Sequence, residues 1–553
     1  MKGKVFSVFA LVVILLSACA KVDKKVEQQK IPFVWGGANL YFMLTDRFNN
    51  GTTDNDVNFE RNLPTGKLRG FEGGDIRGII QKIKDGYFTD LGINAIWFTP
   101  VTEQIHGAVD EGTGNTYGFH GYWAKDWTAL DPNFGSMEDL KELVETAHAN
   151  GIRVVMDAVI NHTGPVTGKD PVWENDWVRT EPQCTYDSYK NTIECTLVKN
   201  LPDIKTESNK EVGIPATLAQ KWKNEGRYEQ EMKELDEFFA RTGYPRTPKN
   251  YIIKWLCDYI IDFGIDGYRV DTVKHTEESV WKEFRKECEY AFALWKKNNP
   301  DKVLDDNKFY TVGEVYNYNI SHKFAFDFGD KKVNYYANGF TDLINFEFKY
   351  NAQSSYEELF AMYSDILNGD LKGYGVLNYL TSHDDGSPFD QKRERTFESA
   401  TKLLLSPGTS QVYYGDESAR PLLVEEAVGD ANLRSFMNWE DIENNAETQA
   451  ILSHWQKLGQ FRVNHPSVGA GVHKMISESP YVFRRSYSKG EYQDQIFVAL
   501  DLDKGVKEVH LTELENGTKL RDAYSGKETK VKNGKISIDT EFDILLLELM
   551  PSR

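Results

Sequence analysis

Cysteine is scarce in this chain, basic residues are outnumbered by acidic ones, and long hydrophobic runs are almost absent. The 553 residues include five cysteines, none with the spacing of a zinc site. The net charge is −19, which argues against nucleic-acid binding, because proteins that bind nucleic acids present basic surfaces. The one sustained apolar run, from Val5 to Leu16, is too short to span a bilayer as a stable helix.

That apolar run has the features of an export signal. Lys2 and Lys4 precede it, and it ends in Leu16-Ser17-Ala18-Cys19, which resembles the lipobox of bacterial lipoproteins. We therefore expect residues 1–19 to be a lipoprotein signal peptide, Cys19 to carry the lipid, and residues 20–35 to form a polar tether. The expected location is a bacterial membrane surface, periplasmic or cell-surface, with the leaflet left open. The alternative is an ordinary signal peptide with a chance cysteine.

From about residue 36 the pattern alternates between strands and helices. This alternation predicts an α/β fold, a (β/α)8 TIM barrel. Two helices have clear signals: Ser136 and Asp139 are placed as a capping pair, and Thr247-Pro248 opens an amphipathic segment that Gly264 ends. Two more helices are expected, one from Asp75 to Leu91 and one that opens at Thr276. Seven of the eight expected strands are 39–45, 94–99, 152–160, 309–314, 343–348, 376–382 and 411–414. The fourth is a short buried strand within residues 264–275 that ends with Arg269 and Asp271.

Two regions depart from this alternation. Residues 163–246 exceed the usual connection of about 2–6 residues between a strand and its helix, so we expect an inserted subdomain (subdomain B) after strand 3. Residues 466–553 show short alternating strands at 481–486, 495–500, 508–511, 536–538 and 544–547, which predict a C-terminal antiparallel β-sandwich. The catalytic barrel would then comprise residues 36–162 and 247–465. Cys184 and Cys195 flank a short polar segment of the insertion and could form a disulfide in an oxidising compartment.

The stretch from Gly264 to His275 concentrates charge at the end of a buried strand. Arg269 and Asp271 are two residues apart, so both side chains leave the same face of the strand. A guanidinium beside a carboxylate favours its ionised form and fixes its orientation. For an isolated pair, a structural ion pair would be the simpler interpretation.

Other strand ends carry matching groups. The third strand ends in Asp157 to His162, the fifth at Glu314, and the seventh in Ser382-His383-Asp384. Barrel chemistry takes place where strands end at their carboxyl side, so carboxylates and imidazoles are expected to converge there. One carboxylate, one carboxylic acid with a raised pKa and groups that grip a sugar are the requirements for cleaving a glycosidic bond.

Four of these segments resemble the signature regions of the α-amylase family, glycoside hydrolase family 13. They are 157–162, 267–275, 312–315 and 380–384. The family's Asp-Arg-Phe (46–48), His-Gly-Tyr-Trp (120–123) and Leu-Pro-Asp (201–203) are also present. Residues 201–208, 264–275 and 413–418 look like the periplasmic α-amylases of Gram-negative bacteria.

The resemblance implies a role for each residue that matches a family motif. Asp271 would be the nucleophile, Glu314 the general acid and base, and Asp384 the group that holds the hydroxyls of a distorted ring. The fourth region departs from the family's usual Asn-His-Asp, because Ser382 replaces the Asn. The implied substrate-binding residues are Arg269, His162, His383, His120, Tyr122, Lys274 and His275.

The resemblance also implies a structural calcium ion between barrel and insertion. Its ligands would be Asn161, Asp203 and the backbone carbonyl of His275. Oxygen ligands from separate segments suit a hard cation such as calcium. Taken alone, Asp203 would be read as a turn aspartate after proline.

The function expected from the sequence is that of a retaining, endo-acting α-amylase on α-1,4-glucosidic bonds in starch, glycogen or maltodextrins. An α-glucan transglycosylase or a debranching enzyme of the same family is the first alternative, and a non-catalytic glucan-binding surface protein is the second. The expected partners are the glucan substrate and the lipid anchor, with no nucleic acid, and the expected state is a monomer. Chain-length preference stays open.

Overall fold

The computed structural model describes residues 30–551. The expected signal peptide, Cys19 and most of the tether lie outside this range. Eight parallel strands close into a barrel in which the first strand pairs with both the second and the eighth. These strands are β1 Asn39–Met43, β2 Ala95–Phe98, β3 Arg153–Ala158, β4 Gly267–Val270, β5 Tyr310–Gly313, β6 Asp342–Asn345, β7 Gly375–Tyr379 and β8 Thr409–Tyr413. The predicted barrel is confirmed.

The strand register decides which side chains meet at the barrel mouth. Arg269 on β4 lies directly beside Asp157 on β3, and its other neighbour is Val312 on β5. Because all strands run in one direction, their carboxyl ends open on the same face. The register of the two adjacent strands alone thus brings the Arg269 guanidinium beside the Asp157 carboxylate.

The longer helices alternate with these strands or lie in the connections. They are α1 Ile76–Lys84, α2 Met137–Ala149, α3 Ala216–Asn224, α4 Tyr228–Thr242, α5 Pro248–Phe263, α6 Val280–Asn298, α7 Tyr356–Asn368, α8 Thr396–Leu404 and α9 Ala446–Asn464. Ser136 and Asp139 form the capping box that starts α2. Gly264 ends α5 with φ 75°, and a Cβ there would lie 2.0 Å from the Trp295 ring, so only glycine fits.

Two helix boundaries differ from expectation. The predicted helix from Asp75 to Leu91 is interrupted, because Gly86 adopts φ 82° and separates α1 from a single turn at Tyr87–Asp90. The helix expected to open at Thr276 begins at Val280. The residues before it, Val273–His275, form a 3-10 turn instead, which holds that loop at the barrel mouth.

The long connection between β3 and α5 packs on the barrel through tryptophans. Trp177 stacks parallel to Trp255 of α5 at 6.3 Å between ring centroids, and Trp222 meets the same ring edge-on at 6.1 Å. Within the connection, Val178–Arg179 pairs with Asp203–Ile204. The sulfurs of Cys184 and Cys195 are bonded at 2.02 Å. Aromatic packing against α5 therefore fixes this connection to the barrel.

The C-terminal region is antiparallel. Its strands are β9 Val472–Ser477, β10 Tyr481–Lys489, β11 Tyr492–Leu500, β12 Gly505–His510, β13 Lys519–Asp522, β14 Glu528–Lys530, β15 Lys535–Thr540 and β16 Leu545–Leu549. A six-stranded sheet has the order β9-β10-β11-β16-β13-β14, and β12 pairs with β15. Strands β9, β13 and β14 lie outside the segments that the sequence predicted.

One buried arginine joins this region to the barrel. Arg485 of β10 donates to the carbonyl oxygens of Leu405, in the barrel region, and Val468, at the start of the C-terminal region. Arg462 of α9 makes similar bonds within the barrel region and donates to the Leu404 and Ser406 carbonyl oxygens, each at 2.9 Å. Both side chains are fully buried. One hydrophobic core also contains residues of both regions.

No helix within residues 30–551 is both long enough and apolar enough to cross a membrane.

Candidate active site

Arg269 is the centre of the charged groups at the barrel mouth. Its Nη1 donates to Asp271 Oδ1 at 2.8 Å and to Asp157 Oδ1 at 3.0 Å, and its Nη2 lies 3.1 Å from Glu314 Oε2. The guanidinium is buried, with 1% of its side chain exposed. One fixed cation thus orients three carboxylates, and Asp271 and Glu314 face each other across it.

Glu314 at the end of β5 has the environment of a proton donor. Burial, reinforced by the charges of Asp271 and Asp384, raises the pKa of Glu314 well above its usual value, although Arg269 lowers it. The backbone N–H of Thr272 donates to Glu314 Oε2 at 2.8 Å. Thr272 adopts φ 47°, which is rare for a β-branched residue and costs of order 1–3 kcal/mol. Strained backbone therefore positions this carboxyl group.

Asp157 is the most enclosed carboxylate of the group. Trp97 Nε1 donates to Asp157 Oδ2 at 3.1 Å and the Tyr122 hydroxyl donates to the same oxygen at 2.8 Å. Burial raises the pKa of Asp157 to about 6, against the lowering effect of Arg269. Because its oxygens are occupied by protein donors, Asp157 orients Arg269 and Tyr122 and leaves the open face of the site to the other carboxylates.

Asp384 lies on the open side of the mouth, with 38% of its side chain exposed. Its Oδ2 is 3.6 Å from His383 Nε2, and the Ser382 hydroxyl donates to its Oδ1 at 3.4 Å. Burial disfavours its charge, but His383, Arg269 and Arg434 prevail and lower the pKa of Asp384. Ser382, where the family pattern commonly has Asn, thus keeps a polar contact to this carboxylate.

Three histidines surround these acids as neutral rings. Burial lowers the pKa of His383 to about 4 and also lowers the pKa of His162 and His120. His162 Nε2 donates to the Tyr122 carbonyl at 3.1 Å, and His120 Nδ1 accepts from the Tyr122 N–H at 3.1 Å. The Tyr122 ring stacks on His383 at 5.3 Å. Since the Nε2–H of neutral His162 is used by the Tyr122 carbonyl, its Nδ1 can only accept from a sugar hydroxyl. His120, whose Nδ1 accepts from Tyr122, keeps an Nε2–H that can donate to one, and none of the three rings adds positive charge.

Lys274 and His275 lie on the side of the mouth that faces the insertion. The Lys274 ammonium is 3.3 Å from the Tyr316 carbonyl oxygen and 5.8 Å from the Tyr186 ring centroid. Burial lowers the pKa of His275 to about 4, and its Nδ1 donates to the Thr192 carbonyl at 3.0 Å. Tyr186, with 52% of its surface exposed, meets the His275 ring edge-on at 5.8 Å.

Asn161, Asp203 and His275 converge where the insertion meets the barrel. One terminal atom of the Asn161 amide lies 2.8 Å from the His275 carbonyl oxygen and 3.3 Å from Asp203 Oδ1. With the amide oxygen at this position, three oxygens face one another, which is the donor set of a hard cation. With the nitrogen there, the amide would donate to both partners. In residues 30–551 no group of three His, Cys, Asp or Glu side chains is arranged to hold a metal.

Several residues at the mouth were not assigned a role by sequence reasoning. Asp157 and Trp97 complete the surroundings of Arg269, and Arg434 donates its Nε–H to the His383 carbonyl at 2.9 Å. Asp157 could have been identified from the sequence, because a carboxylate inside an apolar strand needs a buried partner. Arg269, in the following strand of the barrel, is a cation that could pair with it. Arg434 and Tyr186 come from distant loops, and no local pattern marks them.

The geometry of the barrel mouth defines a class of enzyme. A (β/α)8 barrel whose mouth holds a carboxylate on a buried arginine, and beside it a carboxyl group of raised pKa, is a glycoside hydrolase arrangement. The profile of the family described as "Alpha amylase, catalytic domain" matches residues 42–464. The chain belongs to the α-amylase family and is a glycoside hydrolase of α-amylase type.

Individual relatives agree with this membership. The periplasmic α-amylase of Escherichia coli (strain K12) is 35% identical over an alignment of 514 residues, which covers 82% of this chain and 71% of that protein. A cyclomaltodextrin glucanotransferase of Geobacillus stearothermophilus is 27% identical over 84% of this chain, but the match spans only 59% of that protein. The solved structure of an Anoxybacillus α-amylase shares the fold, with a TM-score of 0.64 and 24% identity over 94% of this chain and 100% of that one.

Proposed function

We propose that the protein is an endo-acting α-amylase that cleaves α-1,4-glucosidic bonds with retention of configuration. The observation that supports this most directly is the shared guanidinium: Arg269 contacts both Asp271, at 2.8 Å, and Glu314, at 3.1 Å. Two carboxyl groups on one guanidinium are close together. Retaining glycosidases place the pair about 5–5.5 Å apart, whereas inverting ones leave about 6.5–9.5 Å for a water molecule.

The proposed reaction has two displacements. Asp271 attacks the anomeric carbon while Glu314 gives its proton to the departing glycosidic oxygen, which leaves a β-linked glycosyl ester on Asp271. Glu314, now ionised, then takes a proton from water as the water attacks the same carbon and breaks the ester. Asp384 and the neutral ring of His383 hold hydroxyls of the distorted sugar, and Lys274 and His275 face the leaving sugar.

The anomer formed first tests this mechanism. Proton NMR in the first minutes of maltoheptaose or amylose hydrolysis should show the α-anomer. An initial β-anomer would mean inversion, and Asp271 could not then be the nucleophile.

The product profile separates the proposed activity from the other activities of this family. Internal cleavage of amylose yields mixed maltodextrins. Cyclic or lengthened products would indicate transglycosylation, the reaction named for the glucanotransferase relative, and cleavage of pullulan at its α-1,6 bonds would indicate debranching. Soluble starch that yields neither reducing sugar nor cyclic or lengthened products would leave only the binding-protein alternative.

Calcium is proposed to join the insertion to the barrel. Asn161, Asp203 and the His275 carbonyl would hold it, as their convergence within 3.3 Å supports. A bound calcium ion would stabilise the folded state by mass action and, through His275, hold the loop after Asp271. Chelation should therefore lower the melting temperature, and added calcium should restore it in the wild type but not in Asn161→Ala. An unchanged melt after verified metal removal would contradict these ligands.

Export with a lipid anchor is proposed on the lipobox-like sequence before Cys19, and the periplasmic relative supports export. Cys19→Ala should abolish labelling by radioactive palmitate. Labelling that persists in that variant would refute Cys19 as the anchor.

A further inference from the structure

A second cavity lies between the barrel helices and the C-terminal strands, away from the mouth. Its volume is about 470 Å³, within the range of small-ligand sites. We call it the interface pocket. None of its lining residues belongs to the site described above. The side chains that carry the argument are Tyr356, Phe397, Lys457, Asp501, Tyr524 and Phe542.

One wall of the interface pocket is aromatic and rigidly held. Tyr524 and Phe542 meet edge-on at 4.9 Å, and the Lys457 ammonium lies 4.4 Å and 4.5 Å from their ring centroids. His454 fixes the wall from behind, because its Nε2–H donates to the Phe397 carbonyl at 3.1 Å and its Nδ1 accepts from the Tyr524 hydroxyl at 2.8 Å. Burial lowers the pKa of His454 to about 4, so this ring is neutral.

Aromatic surface remains exposed in this pocket. Phe397 is 48% exposed and Phe542 is 36% exposed. Removing apolar surface from water is favourable by roughly 25 cal/mol per Å². A ligand whose apolar face covers these exposed rings would therefore be stabilised on them. Phe397 projects from α8 and Phe542 from the loop before β16, so the rings come from both regions of the molecule.

Acidic residues also line the interface pocket, and we call Asp501 and Asp543 its acidic wall. Burial and the neighbouring carboxylates of Asp543 and Glu398 raise the pKa of Asp501. Asp501 adopts φ 55°, an unusual conformation for a residue other than glycine. Within the described chain, neither Asp501 nor Asp543 forms an ion pair, and neither carboxylate accepts a hydrogen bond. These two carboxylates are thus open to donors from a ligand.

This combination fits a particular chemical class. The face of a pyranose ring presents C–H groups that pack on aromatic rings, while its edge presents hydroxyls that donate to carboxylates. A neutral, hydroxyl-rich ligand also tolerates clustered acidic groups, whereas an anion would be repelled. Lys457 can supply a donor to hydroxyl oxygens on the aromatic side.

We propose that the interface pocket is a second α-glucan site, which holds a segment of a long chain while another segment lies in the barrel mouth. The inference rests on the proposed action on α-glucans. Two contacts on one polymer raise the effective concentration of the chain at the catalytic centre. The benefit should therefore appear on polymers and vanish on substrates that fill the mouth alone.

The test compares Phe397→Ala/Phe542→Ala with the wild type on two substrates. On a short chromogenic maltotrioside, kcat/KM should be unchanged. On soluble starch KM should rise by about fivefold or more. The fraction of protein that binds to granular starch at low temperature, which we call starch retention, should fall to a similar degree. Tyr290→Ala is the matched control, since Tyr290 is an aromatic residue 43% exposed on α6 and outside the pocket. Asp501→Asn tests the acidic wall with its shape preserved and should weaken starch retention in the same direction.

The outcomes separate the two proposals. If the double variant kept the wild-type retention on granular starch and the wild-type KM on soluble starch, the interface pocket would not be a glucan site. Unchanged retention alone would be enough to overturn it if the enzyme did not cleave starch. An equal loss on the maltotrioside would also overturn it, because the effect would then not depend on polymer length. If the wild type failed to cleave starch, yet its retention depended on Phe397 and Phe542, the proposed hydrolysis would fail and the second site would stand.

Discussion

At the scale of single residues, Glu314 carries the sharpest expectation for the chemistry. Glu314→Gln cannot protonate the leaving oxygen, so kcat on maltoheptaose should fall by about 10²–10⁴-fold. An aryl maltoside with a good leaving group needs less protonation, and its bond cleavage should lose less. Asp271→Asn is the matched variant, because loss of the nucleophile should affect both substrates alike. Equal losses on both substrates for Glu314→Gln would contradict the acid assignment.

The same residue predicts a pH dependence of stability. Burial raises the pKa of Glu314 above its usual 4.5, so the folded state binds a proton more tightly than the unfolded state. Stability associated with this proton is present at low pH and is lost as pH rises through the folded pKa. Glutamine cannot ionise, so the melting temperature of Glu314→Gln should exceed that of the wild type at pH 8. This difference in melting temperature between the two proteins should disappear near pH 4. A difference that stayed constant from pH 4 to pH 8 would refute the raised pKa of Glu314.

At the scale of elements, the loop closed by Cys184 and Cys195 borders the mouth. It places Tyr186 beside His275 and Lys274, and it holds His275 through the Thr192 carbonyl. Tyr186→Ala should lower kcat/KM on maltoheptaose by about 3–10-fold, as loss of an exposed aromatic contact implies. Tyr186→Phe keeps the ring and should retain the rate.

The disulfide itself can be tested against the same measurement. Cys184→Ser/Cys195→Ser should shift kcat/KM in the direction of Tyr186→Ala, because the loop would no longer be held at both ends. If Tyr186→Ala cleaved maltoheptaose as the wild type does, this loop would have no part in binding the leaving sugar.

The elements also show how far sequence reasoning reaches. The barrel strands were predictable because buried parallel strands are apolar runs, and their ends were marked by residues such as Asp157 and Glu314. Strand β9 was not, because Val472–Ser477 lies mostly exposed and lacks a clean alternation. The start of α6 was misplaced since Thr276 resembles a cap, yet the preceding 3-10 turn continues the mouth loop. Contacts from distant loops, such as Arg434 on His383, leave no local signal.

At the scale of the whole molecule, His465 joins the end of the barrel region to the sandwich. Its Nδ1 lies 2.9 Å from Asp494 Oδ1 and its Nε2 lies 3.0 Å from Glu548 Oε2. These partners overcome burial and raise the pKa of His465 from 6.5 to about 9. At about 1.4 kcal/mol per pKa unit, the difference of about 2.5 corresponds to on the order of 3 kcal/mol.

That contribution is fully present below pH 6.5 and is lost as pH rises through 9. The wild-type free energy of unfolding should therefore decline between pH 7 and 9.5. His465→Gln should start lower at pH 6 and decline less over the same interval. Denaturant titrations at each pH provide the measurement, and identical slopes for both proteins would remove His465 as the cause.

Arg485 has a consequence for how such a chain can change in evolution. Its side chain is fully buried, and it donates to the Leu405 carbonyl of the barrel region and to the Val468 carbonyl at the start of the C-terminal region. A recombination event that exchanged the strands from β10 onward for an unrelated module would remove this guanidinium and leave the buried Leu405 carbonyl without its donor. We therefore expect such an exchange to destabilise the barrel unless the new module supplies a donor at the same place.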